Sequence, residues 1–196
     1  MPNDNTDNAS SGAGAGKPAS GGGVKSGGAA RGDAKTIEFL NLILKNELTA
    51  INQYFLHSRM LANWGVSELS KKEYAESIDE MHHADSLVQR ILFLGGLPNL
   101  QYLDKLLIGE DVADVIACDL QFEEKALIDL RNAITHAESV KDYGSRLLYE
   151  NILKSEEEHI DYLGTQQRLI AAIGVSDYIQ VQTQANAATA LSPPGD

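Results

Sequence analysis

The sequence predicts an all-α domain: a four-helix bundle with a long crossover between helices 2 and 3 and a short fifth helix near the C-terminal end. Three observations carry this. Apolar side chains recur at helical spacing through four long stretches. Gly and Pro are sparse inside those stretches and gather between them. The spacing Glu-x-x-His occurs at Glu80-Met81-His82-His83 and again at Glu156-Glu157-Glu158-His159, each time midway along a stretch and on its apolar face.

The first helix spans about Ala34 to Trp64, with Ile37, Leu40, Leu44, Ile51, Tyr54 and Phe55 as its stripe. Trp64-Gly65-Val66 is a tight joint, so the second helix, about Ser67 to Leu94, returns antiparallel and carries Leu69, Leu87, Ile91 and Leu94 inward. Gly95-Gly96-Leu97-Pro98-Asn99 stops it, because proline offers no amide donor and glycine favours the end of a helix. The chain then runs to Glu110 past Leu100, Leu103, Leu106 and Ile108, enough to travel the length of helices that each span about 40 Å. That is a crossover, not an up-down-up-down connection. The third helix, about Asp111 to Glu138, repeats Val112, Ile116, Leu120, Leu127, Leu130 and Ile134. A short joint at Lys141-Asp142 leads into the fourth, about Asp142 to Ile173, with Tyr149, Ile152, Leu163 and Ile170. After Gly174, Ser176-Asp177-Tyr178-Ile179-Gln180-Val181 reads either as a frayed tail or as a short helix packing on other subunits through its apolar side chains.

Acid lies on all four inner faces. Glu47 is in phase with the first stripe, Glu80 and His83 with the second, Glu123 with the third, and Glu156 and His159 with the fourth. Four carboxylates buried without compensation would cost several kcal/mol each. No Lys or Arg shares these phases at the same level, so two divalent cations are expected to balance the four charges, with the two imidazoles completing the coordination. Oxygen-rich ligation with one imidazole per metal suits iron or manganese; thiolate chemistry would need more than the single Cys118. Roughly a few tenths of one Glu-x-x-His are expected by chance at this length, so one occurrence means little and two in matching phase mean more. One Glu from each of two helices and Glu-x-x-His from each of the other two is the ligand pattern of dimetal carboxylate bundles.

Composition divides the chain into a Gly/Ala/Ser-rich N-terminal tail (1–32), one domain (33–182) and a C-terminal tail (183–196), the tails having too little apolar mass to repay the entropy of ordering. No secretory or organelle-targeting pattern and no membrane span is visible, and with one cysteine a reducing cytoplasm is the expected compartment. A net charge of −12 without a basic stripe argues against a nucleic-acid binder.

Several words of the chain closely resemble the bacterioferritin family: Asn46-Glu47-Leu48-Thr49-Ala50-Ile51-Asn52-Gln53-Tyr54-Phe55-Leu56-His57, Glu76-Ser77-Ile78-Asp79-Glu80-Met81 with His83-Ala84-Asp85, Arg90-Ile91-Leu92-Phe93-Leu94 with Gly96-Leu97-Pro98-Asn99-Leu100, and Glu156-Glu157-Glu158-His159-Ile160-Asp161. The likeness covers about Gly32 to Gln182. It implies the ferritin-like fold and a homo-oligomeric, 24-subunit iron-storage cage. Each subunit would be a ferroxidase, oxidising Fe(II) with O2 or H2O2 at a di-iron centre and storing ferric mineral in the cavity. The family's iron ligands fall on Glu47, Glu80, His83, Glu123, Glu156 and His159, with Glu47 and His83 serving one iron, Glu123 and His159 the other, and Glu80 and Glu156 bridging. Met81 falls on the axial ligand of a haem b shared across a two-fold interface, and a ferredoxin-type electron donor for iron release is a further implied partner. Tyr54 is either a hydrogen-bonding neighbour of the irons or a core aromatic; Asp79 either lines an entry pore or is a solvated carboxylate. His82, Tyr162 and Gly95 depart from the family pattern, where Lys, Trp and Glu are common, and none removes an iron ligand. Two other readings are a rubrerythrin-type di-iron peroxidase, whose Cys-rich module a lone Cys118 excludes, and a non-catalytic haem-bearing shell subunit, which should lack ligands present here.

Overall fold

The computed structural model describes the backbone of residues 32–190 and the side chains of residues 32–183. The N-terminal tail lies outside the described residues, apart from Gly32 at its end, and so do residues 191–196. The described residues form five helices and no strand: α1 Ala34–Asn63, α2 Ser67–Phe93, α3 Val112–Ser139, α4 Tyr143–Ile173 and α5 Val175–Ala190. Helix α1 packs along α2 and α3 along α4, the two hairpins meet chiefly through α1 and α3, and α5 lies against α2 and α4.

Capping residues set the ends. Asp33, Asp111 and Asp142 each accept the backbone N–H three residues on, from Thr36 (2.9 Å), Asp114 (2.9 Å) and Ser145 (3.0 Å), so three helices begin on an aspartate that satisfies an otherwise orphaned donor. Gly65 and Gly95 close α1 and α2 at φ 84° and 80°, a left-handed conformation that costs glycine little.

Two apolar plugs fill the bundle. One gathers Leu40, Ile43, Leu44, Leu87, Ile91, Leu130, Tyr149 and Ile152; the other, toward α5, gathers Leu61, Val66, Leu69, Val115, Ile116, Leu163 and Tyr178. The inward carboxylates occupy the band between them, with Ala50, Tyr54 and Phe122 as a smaller apolar group beside it.

Two expectations need correction. Phe55, placed in the α1 stripe, is 48% exposed: it follows Tyr54 by one helical step of about 100°, and that turns it out of the core. The C-terminal tail expected from residue 183 is helical backbone as far as Ala190, since α5 continues well past Val181. Alanine is the best helix former, and the turns from Val175 onward supply the nucleus that an isolated Ala-rich segment would lack.

The crossover, residues 94–111, has no helix of its own, and Leu100, Leu103 and Ile108 are exposed along it. A ladder of α1 side chains holds it instead. Asn41 Oδ1 accepts from Asn99 N (2.7 Å), Thr49 Oγ1 from Asp104 N (3.0 Å), Gln53 Oε1 from Leu107 N (2.8 Å) and His57 Nε2 from Gly109 N (3.1 Å), while Lys45 Nζ pairs with Asp104 at 2.8 Å. Positions 41, 45, 49, 53 and 57 are successive i+4 steps, one stripe of the helix surface. Four of the strap's backbone donors thereby find acceptors without a sheet or helix partner.

Candidate metal centre

Four helices each deliver acid to the band between the plugs. Glu47 of α1 is 5% exposed, Glu80 of α2 3%, Glu123 of α3 1% and Glu156 of α4 4%; His159 is buried and His83 half-buried. Two groupings bring every ligand atom within 4.8 Å of the others: Glu47, Glu80, His83 and Glu156, and beside it Glu80, Glu123, Glu156 and His159. Glu80 and Glu156 belong to both. A small cavity of about 10 Å³ between these carboxylates, walled by Ile43, Phe122 and Leu130, has room for about one water-sized particle.

His83 Nδ1 lies 3.2 Å from Glu47 Oε2, 3.1 Å from Glu80 Oε2 and 3.3 Å from Glu156 Oε1; His159 Nδ1 lies 3.2 Å from Glu123 Oε1. Tyr54 donates its hydroxyl proton to Glu123 and sets its ring edge-on to His159, centroids 5.3 Å apart. It is thus a hydrogen-bonding neighbour of the cluster while packing against Phe122 as a core aromatic.

Burial raises the Glu47 carboxyl, and burial reinforced by neighbouring carboxylates pushes Glu80 and Glu156 well above the usual range. Burial alone would lower both imidazoles. Hydrogen bonds with Glu156, Glu47 and Glu80 instead lift His83 to about 12, and the bond with Glu123 lifts His159 to about 9. Without metal the cluster therefore balances its charge with protons held on imidazole and carboxyl groups. The two groupings offer oxygen and nitrogen donors that divalent cations could use, and binding there would release those protons, so metal affinity would fall as pH falls.

Met81 lies one helical step from Glu80 and is 51% exposed, facing away from the cluster. Asp79 and His82 are exposed as well.

A second set of buried polar residues was not anticipated. Asp119, one turn before Glu123, is 0% exposed and accepts from Gln53 Nε2 at 2.8 Å and from His57 Nδ1 at 2.8 Å. Because His57 Nε2 accepts from the Gly109 amide, the proton must sit on Nδ1, which makes that nitrogen the donor to Asp119. Glu73, two turns before Glu80, is also 0% exposed; neither of its oxygens has a donor, and it faces Asp119. Two facing carboxyls in a dry site can coexist only with a proton or a cation between them. The signal for all of these lay in the helical phase: Glu73, Glu76, Glu80 and His83 step by three and four, and Asp119 precedes Glu123 by four.

Burial first, then the charges of Asp119 and Glu76, raise the Glu73 carboxyl well above its usual range. A raised folded-state pKa gives stability that is complete below the unfolded value near 4.5 and is lost as pH rises toward the folded value. Glu73→Gln, which carries its amide donor at every pH, is therefore expected to raise the thermal midpoint of the metal-free protein by roughly a few degrees at pH 7–8. The gain should vanish below about pH 4.5. Calorimetric scans across that range check it, and a midpoint lowered at pH 8 contradicts it.

Fold and site together define a ferritin-like four-helix bundle with a dimetal-type carboxylate–histidine cluster in its core. Residues 37–173 match the family model for the ferritin-like domain. The chain is 47% identical over 144 residues to a bacterioferritin of Rhodobacter capsulatus, covering 74% of this chain and 89% of that protein. It is 46% identical over 151 residues to one of Brucella melitensis (77% and 94%), and 45% identical over 148 residues to bacterioferritin BfrA of Mycobacterium tuberculosis (76% and 93%). The chain belongs to the bacterioferritin family. No helix among the described residues is long and apolar enough to cross a membrane.

Proposed function

We propose that this protein stores iron as a ferroxidase, taking Fe(II) as substrate at the core cluster and passing ferric iron to a mineral inside a 24-subunit, cytoplasmic cage. The observation that carries the proposal is the sharing of Glu80 and Glu156 between two adjacent four-residue groupings, each with one further Glu and one His. Glu47 and His83 would hold one iron, Glu123 and His159 the other, and the two shared carboxylates would bridge them. Bound side by side, two Fe(II) ions can give two electrons together to one O2 or H2O2 molecule, so no one-electron radical need be released.

The chain's own groups do the rest. Tyr54 donates a hydrogen bond to Glu123 and fixes that carboxylate's orientation. The apolar plugs keep bulk water from both ends of the band, which strengthens every charge interaction within it. The His83 and His159 protons leave as metal enters, freeing each Nδ1 lone pair for coordination.

Met81 would supply a thioether to a b-type haem shared with a second subunit. Its half exposure and its aim away from the metal cluster fit a ligand that must reach across an interface. Release of stored iron would then need an electron donor of ferredoxin type.

Aerobic addition of Fe(II) to the metal-free protein should give rapid growth of ferric absorbance. Sedimentation should show a particle of roughly half a million daltons, built from 21.2 kDa chains. Met81→Leu should lose the visible haem spectrum with the particle size unchanged. Oxidation no faster than in buffer removes the ferroxidase reading, a stable monomer or dimer removes the cage, and an undiminished haem spectrum removes the role of Met81.

A further inference from the structure

The inner cluster leaves one group of buried acids unused. Glu73 and Glu76 stand three residues apart on one face of α2, the same spacing that sets Glu80 beside His83, with Asp119 of α3 facing Glu73. Glu73 is fully buried with no donor on either oxygen, and Glu76 is 6% exposed. Two oxygens from one helix turn, with a third acid across from them, are the beginnings of a site for a hard divalent cation.

A side chain neutralises one of these acids. Lys72, four residues before Glu76, puts its ammonium on Glu76 Oε1 and over the ring of Tyr162 of α4, 5.1 Å from the centroid. The other oxygen of Glu76 lies 3.9 Å from Nδ1 of His159. One carboxylate thus separates a lysine at the solvent edge, 39% exposed, from an imidazole of the inner cluster. Among the described residues, only the two inner groupings gather three or more ligand atoms within 4.8 Å. The outer acids stay apart, with an ammonium on one of them.

We infer that Lys72 is a tethered counter-cation that keeps Glu73 and Glu76 closed to metal and so limits each subunit to two divalent ions. An ammonium is a compact point charge with donors and no lone pair, so it can neutralise Glu76 without itself coordinating a metal. A fifth carboxylate left free beside His159 would offer a further ligand at the rim of a site whose four carboxylates two divalent ions already balance. Removing the tether frees Glu76 beside Glu73, neither of whose oxygens has a donor. The inference rests on the two-ion reading of the inner cluster.

The test is an anaerobic titration of the assembled, metal-free protein with Co(II), counted by calorimetry and by metal analysis after gel filtration. Wild type and Lys72→Arg, which keeps the charge, should saturate at two ions per subunit. Lys72→Met should take a third, and Lys72→Met combined with Glu73→Gln should return to two. Sedimentation of each variant at the wild-type size shows that the change in count does not come from misassembly. A Lys72→Met protein that stops at two while wild type also binds two overturns the role of Lys72 alone, and so does a third ion in Lys72→Arg. Wild type binding fewer than two overturns the two-ion reading and, with it, this inference.

Discussion

Glu123→Ala is expected to slow the initial rate of aerobic Fe(II) oxidation by about two orders of magnitude or more, with cage size unchanged. Loss of a hydrogen-bonded neighbour of a metal ligand typically costs 10–100-fold, and loss of the ligand itself should cost at least as much. Glu123 is 1% exposed, so no solvent-borne carboxylate replaces it readily, and its removal strips both Tyr54 and His159 of their partner. Glu47→Ala should slow oxidation as well, from the other side of the shared pair. Stopped-flow absorbance at fixed iron per subunit reads both. Initial rates equal to wild type in the two variants would refute the assignment of the site.

Asp119→Ala should produce a large loss of stability. It leaves Gln53 Nε2 and His57 Nδ1 buried without an acceptor. Each stranded donor costs roughly 1–3 kcal/mol, so a total of about 2–6 kcal/mol is expected for the two. For a chain of this size that lowers the thermal midpoint by roughly 10 °C. Asp119→Asn keeps the shape and one acceptor oxygen and should lose markedly less. Scanning calorimetry of the metal-free variants distinguishes the two; a midpoint for Asp119→Ala within a degree of wild type contradicts the buried network.

The sequence exposes the inner cluster and hides the strap for one physical reason. Glu47, Glu80, Glu123 and Glu156 are conspicuous because carboxylates in an apolar stripe violate the usual partition of charge, and the violation demands a cation. Asn41, Lys45, Thr49, Gln53 and His57 violate nothing: polar residues in an i+4 row look like a solvated helix face until a second segment is laid over them. Glu73 and Asp119 fall between these cases. Both are in phase with the inner ligands, yet without a histidine at the matching spacing they read as ordinary helix acids. Phe55 shows the opposite error, an apolar residue counted into the core from its neighbour's position. In α5, low hydrophobicity after Val181 masks a helix that alanine propensity and continuity with Val175 sustain.

The rungs between α1 and the crossover act as a vernier. From Thr49 to His57 the helix advances about 6 Å per rung, which an extended chain covers in about two residues. The matching amides at Asp104, Leu107 and Gly109 are spaced accordingly, with slack for one extra residue in the first interval. Between Leu107 and Gly109 there is no such slack, so inserting even one residue there would misalign His57 and, through it, Asp119. Loop length, ordinarily the most tolerant property of a fold, is here a calibrated dimension, and drift in it would reach the core through hydrogen bonding before any apolar contact was disturbed.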